Sequence, residues 1–393
     1  MADIRLNKIT VCGGGNGAQT LAPIAAHQLD CQVDLYAPFG DEADRLRSGS
    51  DSHGGVETTG AVQAKALLRC ISADPAEVIP GSPLVVLVLP AFAHESTLRA
   101  ILPFLDQGAW VGAIPARGGF DFCAAKLLRE HGRPDVALFG LQTLPWACRI
   151  QEFGRSIHVL GVKQAVDAAS RPAGLIGEMA PVLQGMLGLR VHQAASLLAL
   201  TLANTGQLIH PGIMYGLFGD WDGTPFPADG VPLFYHGLSD HGANVLAAMS
   251  EDVQAIRECL GASIDLSAVR PLIEWLLYSY NRNIQDSSTL RSAFVTNQAY
   301  SGLKAPVREV APGAFVPDFG ARYLTEDVPY GLAVSRAIAE LAGVETPALD
   351  RVIGWAGAQL GKDFLSTHQD ETRVPQRYGL DRLDHLITFV RED

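Results

Sequence analysis

Two stretches of the chain hold residue types arranged for chemistry. Gly13-Gly14-Gly15-Asn16-Gly17-Ala18 follows an apolar run and leads into a helix-like stretch over residues 19–29. That order of strand, glycine turn and helix fits the G-x-G-x-x-A fingerprint of dinucleotide binding. Glycine suits Gly13, Gly15 and Gly17 because the turn is tight and a side chain would block a pyrophosphate from the N–H groups at the helix start. Ala18 lets the helix pack close to the sheet. A glycine run can also serve a turn alone; its context and N-terminal place select the nucleotide reading. The second stretch is residues 200–216 (LTLANTGQLIHPGIMYG), where His210 directly precedes Pro211. Proline withholds a backbone donor and crowds the preceding turn, so a kink or break is predicted there, re-aiming the histidine. Imidazole titrates near neutrality and suits proton transfer, although a histidine on an apolar helix more often packs.

One element of the fingerprint is missing. The acidic residue that holds the adenosine ribose would fall near Ala37, which Pro38 follows. Asp41 is the nearest substitute, and Asp34 reads as an in-strand residue with a packing or edge role. No arginine closes the strand to favour a 2′-phosphate, though Arg45 lies downstream. The residues leave NADH and NADPH both open.

The elements that must position these groups fall into two regions. Up to about residue 190, short β-rich runs (residues 9–12, 32–36, 84–89, 110–114, 136–141 and 156–160) alternate with helical stretches. This is the pattern of an α/β, Rossmann-type, doubly wound parallel sheet. Residues 191–393 read as a mainly α-helical second domain, with helices over 194–215, 269–280 and 334–341 and long turn-rich loops at 219–232 and 311–320. The 393-residue length suits two such domains, and 48% apolar with 18% charged residues suits packed globular ones. A formal charge of −12 gives no footprint for nucleic acid. Residues 84–93 are about half a membrane span and residues 1–8 do not read as a signal peptide, so a cytoplasmic protein off the membrane is expected. Six cysteines without a C-x-x-C pair read as reduced thiols, and no metal site is indicated.

Nine segments in one order carry a resemblance: GGGNGA at Gly13, PAFAHE at Pro90, TLPWACRI at Thr143, EFGR at Glu152, HP at His210, WDG at Trp221, PLFY at Pro232, PDFGARYLTED at Pro317 and PQRYG at Pro375. Over nearly its whole length the chain resembles the octopine dehydrogenase-like opine dehydrogenases. The resemblance implies a Rossmann domain followed by a helical domain, with substrates bound between them, and NADH-dependent joining of an amino compound to a 2-oxo acid by reduction of the imine. It also implies that His210 and Asp327 form the catalytic dyad, that Arg322 reaches the cofactor pyrophosphate, and that Pro90 lies along the cofactor edge. A carboxylate on one ring nitrogen fixes the tautomer and raises the basicity of the other, and a guanidinium can grip phosphate bidentately, so the residue types suit those roles. Asp327 can equally cap a helix before Pro329. His94 and Glu95 of PAFAHE are further candidates.

Two positions depart from octopine dehydrogenase. Gln142 stands where that enzyme has a glutamate suited to a guanidinium, and Arg117 stands where it has glutamine; Cys148 and Trp146 are expected in the same substrate pocket. A lost counter-charge and an added cation disfavour L-arginine and favour a small neutral or additionally anionic amine such as alanine, glycine, β-alanine or taurine, with pyruvate as the oxo acid. Arg117 can instead pair with Asp121, and Cys148 beside Trp146 can be core packing. Monomer and homodimer both stay open. Two rivals share the plan: a dehydrogenase acting on a single hydroxy acid, and a nucleotide sensor without turnover.

Overall fold

The computed structural model describes residues 6–366 and 371–391, so residues 1–5 of the start read as no signal peptide lie outside the described residues. The chain divides into two compact units, Met1–Leu200 and Thr201–Arg391.

The first unit runs β1 (Lys8–Cys12), α1 (Asn16–Leu29), β2 (Gln32–Tyr36), α2 (Glu42–His53), β3 (Val56–Gly60), β4 (Ala64–Ala66), β5 (Cys70–Ser72), α3 (Pro75–Val78), β6 (Leu84–Leu87), α4 (His94–Ile101), β7 (Trp110–Ala113), α5 (Phe120–Glu130), β8 (Ala137–Leu141), β9 (Trp146–Glu152), β10 (Ser156–Val162), β11 (Ala165–Arg171), α6 (Ile176–Leu187) and β12 (Arg190–Gln193), and the division falls within α7 (Leu197–Ala203). Eight strands form one sheet in the order β12-β11-β8-β7-β6-β1-β2-β5. Its central strands are buried along their length, which is why KITVC, LVVL and ALFGL read as nearly unbroken apolar runs. In β1, Ile9 lies opposite both Val33 of β2 and Leu84 of β6, so the strand order reverses around β1. Such a switch point opens a crevice at the strands' C-terminal ends, where the glycine run begins.

The doubly wound sheet is not parallel throughout. β11 pairs antiparallel with β8, and β12 follows β11 in parallel, so the last two strands are reversed. Nor does the run at 156–160 belong to this sheet: β10 joins a four-stranded sheet, β4-β3-β10-β9. That sheet was faint in the sequence because its strands are short or half polar, as VETTG and WACRIQE illustrate. Only one face of them is buried. Asp34 is not at an edge, because β2 lies between β1 and β5. It sits mid-strand with no exposure, ion-paired to Lys8 at 2.8 Å and to Arg69, in a cluster that takes up the charges under the sheet.

The second unit contains α8 (Gly206–Phe218), β13 (Phe226–Pro227), α9 (Asp240–Leu260), α10 (Leu272–Tyr280), α11 (Leu290–Val295), β14 (Val307–Ala311), β15 (Ala314–Pro317), α12 (Arg322–Thr325), α13 (Ala333–Ala342), α14 (Pro347–Leu360) and α15 (Leu383–Arg391). It is mainly helical, but the two long loops are not structureless: β13, β15 and β14 form a small antiparallel sheet from them. The expected helix over 194–215 breaks at Asn204-Thr205, between α7 and α8, and not at Pro211, which lies inside α8. Asn, Thr and Gly in succession are poor helix formers, whereas a proline within a buried helix withholds one donor and can be carried by packing. Among the described residues no helix is long and apolar enough to cross a membrane.

Candidate active site

In the first unit, the glycine run turns from β1 into α1. Gly13 has φ +128°, and a Cβ there would lie 2.5 Å from the Val88 carbonyl, so only glycine fits between β1 and the segment leading to Pro90. Pro90 precedes a short 3-10 turn at Ala91–Ala93. Gly15 is different: a Cβ on it would meet no protein atom within 4 Å. Nothing in the chain demands a glycine there, and the open space beside it leaves the backbone accessible, as the fingerprint requires for a pyrophosphate. Gly15 caps α1 without a side-chain bond, leaving the first-turn N–H groups of Asn16, Gly17 and Ala18 without a capping oxygen. Gly17 faces Val88 and Leu144, and Ala18 is fully buried against the sheet. The Asn16 side chain is committed elsewhere, accepting from Ile150 N–H of β9 at 2.7 Å. These residues fit a dinucleotide pyrophosphate.

The sequence reading missed the clamp behind this turn. Gln19 donates to the Gly14 carbonyl at 2.7 Å and accepts from Gly154 N–H at 2.9 Å, tying the glycine run to the EFGR turn. EFGR is thus a prop for the loop. Its one sequence signal was its place in the resemblance.

The remaining candidates of this unit lie on the segments that follow β6, β7 and β8 and on β9, and Ala116 N–H donating to the Leu141 carbonyl at 2.9 Å brings the segments of Arg117 and Gln142 side by side. Trp146 and Cys148 are 3% and 2% exposed in the hydrophobic core, with burial pushing the Cys148 thiol up, so Cys148 is a packed thiol. The Trp146 Nε1–H has no hydrogen-bond partner. Gln142 is buried just beyond β8, its N–H donating to the Asp167 carbonyl at 2.9 Å. Arg117 is half-buried before α5, whose first turn holds buried Asp121. His94 is fully buried, with Nε2 3.2 Å from the Leu89 carbonyl and its ring edge-on to Phe120, while Glu95 pairs with Arg99 at 3.0 Å.

In the second unit, two residues 117 positions apart meet. His210 Nδ1 lies 2.7 Å from Asp327 Oδ2. Asp327 is 2% exposed and the His210 side chain 20%, so the carboxylate is enclosed while the ring keeps an opening. Asp327 stands at the start of a π-helical turn, Val328–Leu332, and although it occupies the cap position its side chain makes no cap bond. Wide turns of this kind shift side chains off the regular helical spacing. Gly331 in this turn lies against α8, where a Cβ would fall 2.5 Å from Gln207 Cβ. Gln207 in turn donates to the Thr201 carbonyl and to Ser335, each at 3.0 Å. The missing side chain at Gly331 is therefore what lets the turn carrying Asp327 dock on the helix carrying His210.

With Nδ1–H donating to the carboxylate, Nε2 is left as an acceptor, and the Tyr235 hydroxyl lies 3.2 Å from it. Tyr323 stacks on the imidazole at 4.3 Å between centroids, and Tyr235 stacks on Tyr300 at 4.0 Å. Tyr235 and Tyr323 were not singled out beforehand, although each lies in a quoted segment, PLFY and PDFGARYLTED. Arg322 opens α12, and its Nε donates to buried Glu326 at 2.7 Å while 62% of its side chain is exposed. Among the described residues, no group of three His, Cys, Asp or Glu could hold a metal ion.

A switch-point sheet with an open glycine turn, in a chain that also carries a carboxylate-oriented histidine, has the parts a nucleotide-dependent dehydrogenase needs. Residues 193–360 match the family described as NAD/NADP octopine/nopaline dehydrogenase, alpha-helical domain. The chain is 38% identical to an octopine dehydrogenase from Pecten maximus and 37% identical to a tauropine dehydrogenase from Arabella iricolor, covering 97% and 96% of this chain and 98% and 99% of the relatives. A solved octopine dehydrogenase in complex with NADH and agmatine superposes with a TM-score of 0.86 at 34% identity, over 97% of this chain and 98% of the other. The chain belongs to the opine dehydrogenase family. It is an NAD(H)-dependent oxidoreductase acting on CH–NH bonds.

Proposed function

We propose that this enzyme condenses pyruvate with a small neutral or additionally anionic amino compound, and that L-arginine is a poor substrate. The observation that carries the chemistry is the 2.7 Å contact between His210 and the enclosed Asp327. With Asp327 holding Nδ1–H, Nε2 accepts a proton from the substrate ammonium, freeing the amine to attack the oxo carbon. The imidazolium, stabilised by the carboxylate, then returns the proton as hydroxide leaves the carbinolamine as water. The Tyr235 hydroxyl holds Nε2 until substrate replaces it. NADH, when bound, supplies the hydride that reduces the imine. The glycine run and the first turn of α1 would hold its pyrophosphate, and Arg322 offers an exposed guanidinium of the type that grips phosphate oxygens.

The amine preference rests on Gln142 and Arg117. A neutral amide where octopine dehydrogenase has a carboxylate gives a substrate guanidinium no counter-ion, and an added arginine repels it. Taurine and β-alanine, unlike L-arginine, bring no second cation for that arginine to repel. The tauropine dehydrogenase relative makes that class a natural member of the panel. The test follows NADH oxidation with pyruvate alone and then with L-arginine, glycine, alanine, β-alanine or taurine. Loss of absorbance is expected only with both substrates, and with L-arginine slowest. A clear preference for L-arginine would overturn the substrate assignment, and oxidation with pyruvate alone would favour a hydroxy acid dehydrogenase.

A further inference from the structure

Joining an ammonium to an oxo carbon moves two protons from nitrogen to oxygen. The amine gives up both on its way from R–NH3+ to the iminium R–NH+=C, and the oxo oxygen takes up both to leave as water. His210 carries only one of them at a time, because its Nδ1 proton is tied to Asp327. The ring is also clamped, with Asp327 on one edge and Tyr323 stacked on a face at 4.3 Å. Nε2 is therefore aimed in one direction, while the nitrogen and oxygen it would have to serve are separate atoms on one carbon. A second proton-carrying group in contact with Nε2 removes that conflict.

The Tyr235 hydroxyl makes this contact, 3.2 Å from Nε2. Its position is as fixed as that of the imidazole. The Tyr235 ring stacks on Tyr300 at 4.0 Å, and Phe234, which is fully buried, packs against both Tyr235 and Tyr323 at 4.8 and 4.7 Å. On either side of Tyr235 the backbone is pinned, Phe234 N–H donating to the Leu303 carbonyl at 2.7 Å and His236 Nε2 lying 2.9 Å from the Asn297 carbonyl. An aromatic ring in such a cluster packs whether or not its oxygen does chemistry. The contact with the one ring nitrogen left for substrate is what packing does not require. A hydroxyl both donates and accepts, so it can bond Nε2 with or without a proton there.

We propose that Tyr235 is a further catalytic residue, the relay through which the His210 proton reaches the oxygen of the carbinolamine. The proposal rests on His210 and Asp327 acting as the acid–base pair. Once Nε2 has taken the ammonium proton and the amine has attacked, the Tyr235 oxygen accepts from Nε2–H and its own proton passes to the substrate oxygen. The Nε2–H bond breaks as a new Tyr235 O–H forms, and the old Tyr235 O–H breaks as the substrate O–H forms. Tyr235 ends as it began and Nε2 is free to take the second proton from nitrogen. The second passage releases water, the C–O electron pair leaving with the oxygen as the nitrogen lone pair closes the C=N bond. His210 thus serves the nitrogen and Tyr235 the oxygen.

The experiment compares wild type, Tyr235→Phe and Asp327→Asn in both directions, since phenylalanine keeps the ring and its stack while removing the oxygen. Forward kcat with pyruvate and the fastest amine of the panel should fall about 100-fold in Tyr235→Phe, the lower end of a general acid–base contribution. The reverse direction uses excess NAD+ and the secondary amine purified from that forward reaction, followed by stopped flow. Hydride leaves before water attacks in this direction, so Tyr235→Phe should form its first NADH within about threefold of the wild-type rate and then stall, giving a burst. Burst size counts folded sites, so a partly unfolded sample does not alter the rates. Asp327→Asn should be slow already in the first NADH, because the amine must lose its proton to Nε2 before hydride can leave. A forward kcat within about threefold of wild type in Tyr235→Phe would make Tyr235 a packing residue and overturn the relay. So would a first NADH slowed as much as the steady rate, which would mean that Tyr235 merely positions His210. A fast first NADH in Asp327→Asn would instead sink the acid–base pair, and the relay with it.

Discussion

Replacing Asp327 by asparagine tests the catalytic assignment most directly. The amide keeps the shape of a side chain that is 2% exposed, so the fold should tolerate it. What changes is the 2.7 Å contact with His210 Nδ1. A hydrogen bond to a charged group contributes about 1.5–3 kcal/mol, which alone corresponds to roughly 10- to 150-fold in rate. The second loss is larger. An asparagine that turns its NH2 toward Nδ1 moves the ring proton to Nε2, and a protonated Nε2 cannot accept from the substrate ammonium. Together these should lower kcat by about 10²–10⁴-fold, the range for a general acid–base whose tautomer is lost. The KM for pyruvate and the NADH affinity should change little, because Asp327 does not face either in the proposed mechanism. Steady-state NADH oxidation at saturating amine and pyruvate measures kcat, fluorescence titration measures NADH affinity, and thermal melting checks the fold. A variant that melts like wild type and retains kcat within about tenfold would refute the role given to the pair.

Three further outcomes follow from the same geometry. Gly331→Ala places a Cβ 2.5 Å from Gln207 Cβ, so the π-helical turn must move off α8; a loss of about 1–3 kcal/mol in stability is expected, with kcat falling more than KM because Asp327 leaves His210, and wild-type kinetics would contradict it. The double substitution Arg117→Gln with Gln142→Glu should raise kcat/KM for L-arginine relative to taurine by at least about tenfold, a shift of roughly 1.4 kcal/mol in relative transition-state binding; an unchanged ratio would remove both residues from amine selection. Exposed Cys259 should react first with a thiol reagent in the native protein, whereas Cys12 and Cys148, whose thiols burial pushes up, should react only after unfolding. Rapid modification of Cys148 in the folded enzyme would mean that it is open to a substrate pocket after all.

The sequence alone determined the nucleotide fold, because its signals are local. Buried parallel strands must be nearly continuous apolar runs, and Gly13 to Ala18 follows the first of them in a pattern that a short stretch of chain specifies. It also carried the family resemblance, since nine segments in order survive without knowledge of their contacts. Other features depended on partners distant in sequence. The four-stranded sheet is built from half-polar strands whose pairing, such as Ile157 opposite Thr58 and Ile150, no local pattern declares. Pro211 was the louder helix breaker on paper, yet packing carried it and the chain broke at Asn204-Thr205. The contact of His210 with Asp327 spans 117 residues and needs a wide turn, a bare Gly331 and the fixed Gln207 to close. Local propensity and burial period are written residue by residue, whereas the meeting of two side chains is set by every element between them, and only the tertiary structure decides it.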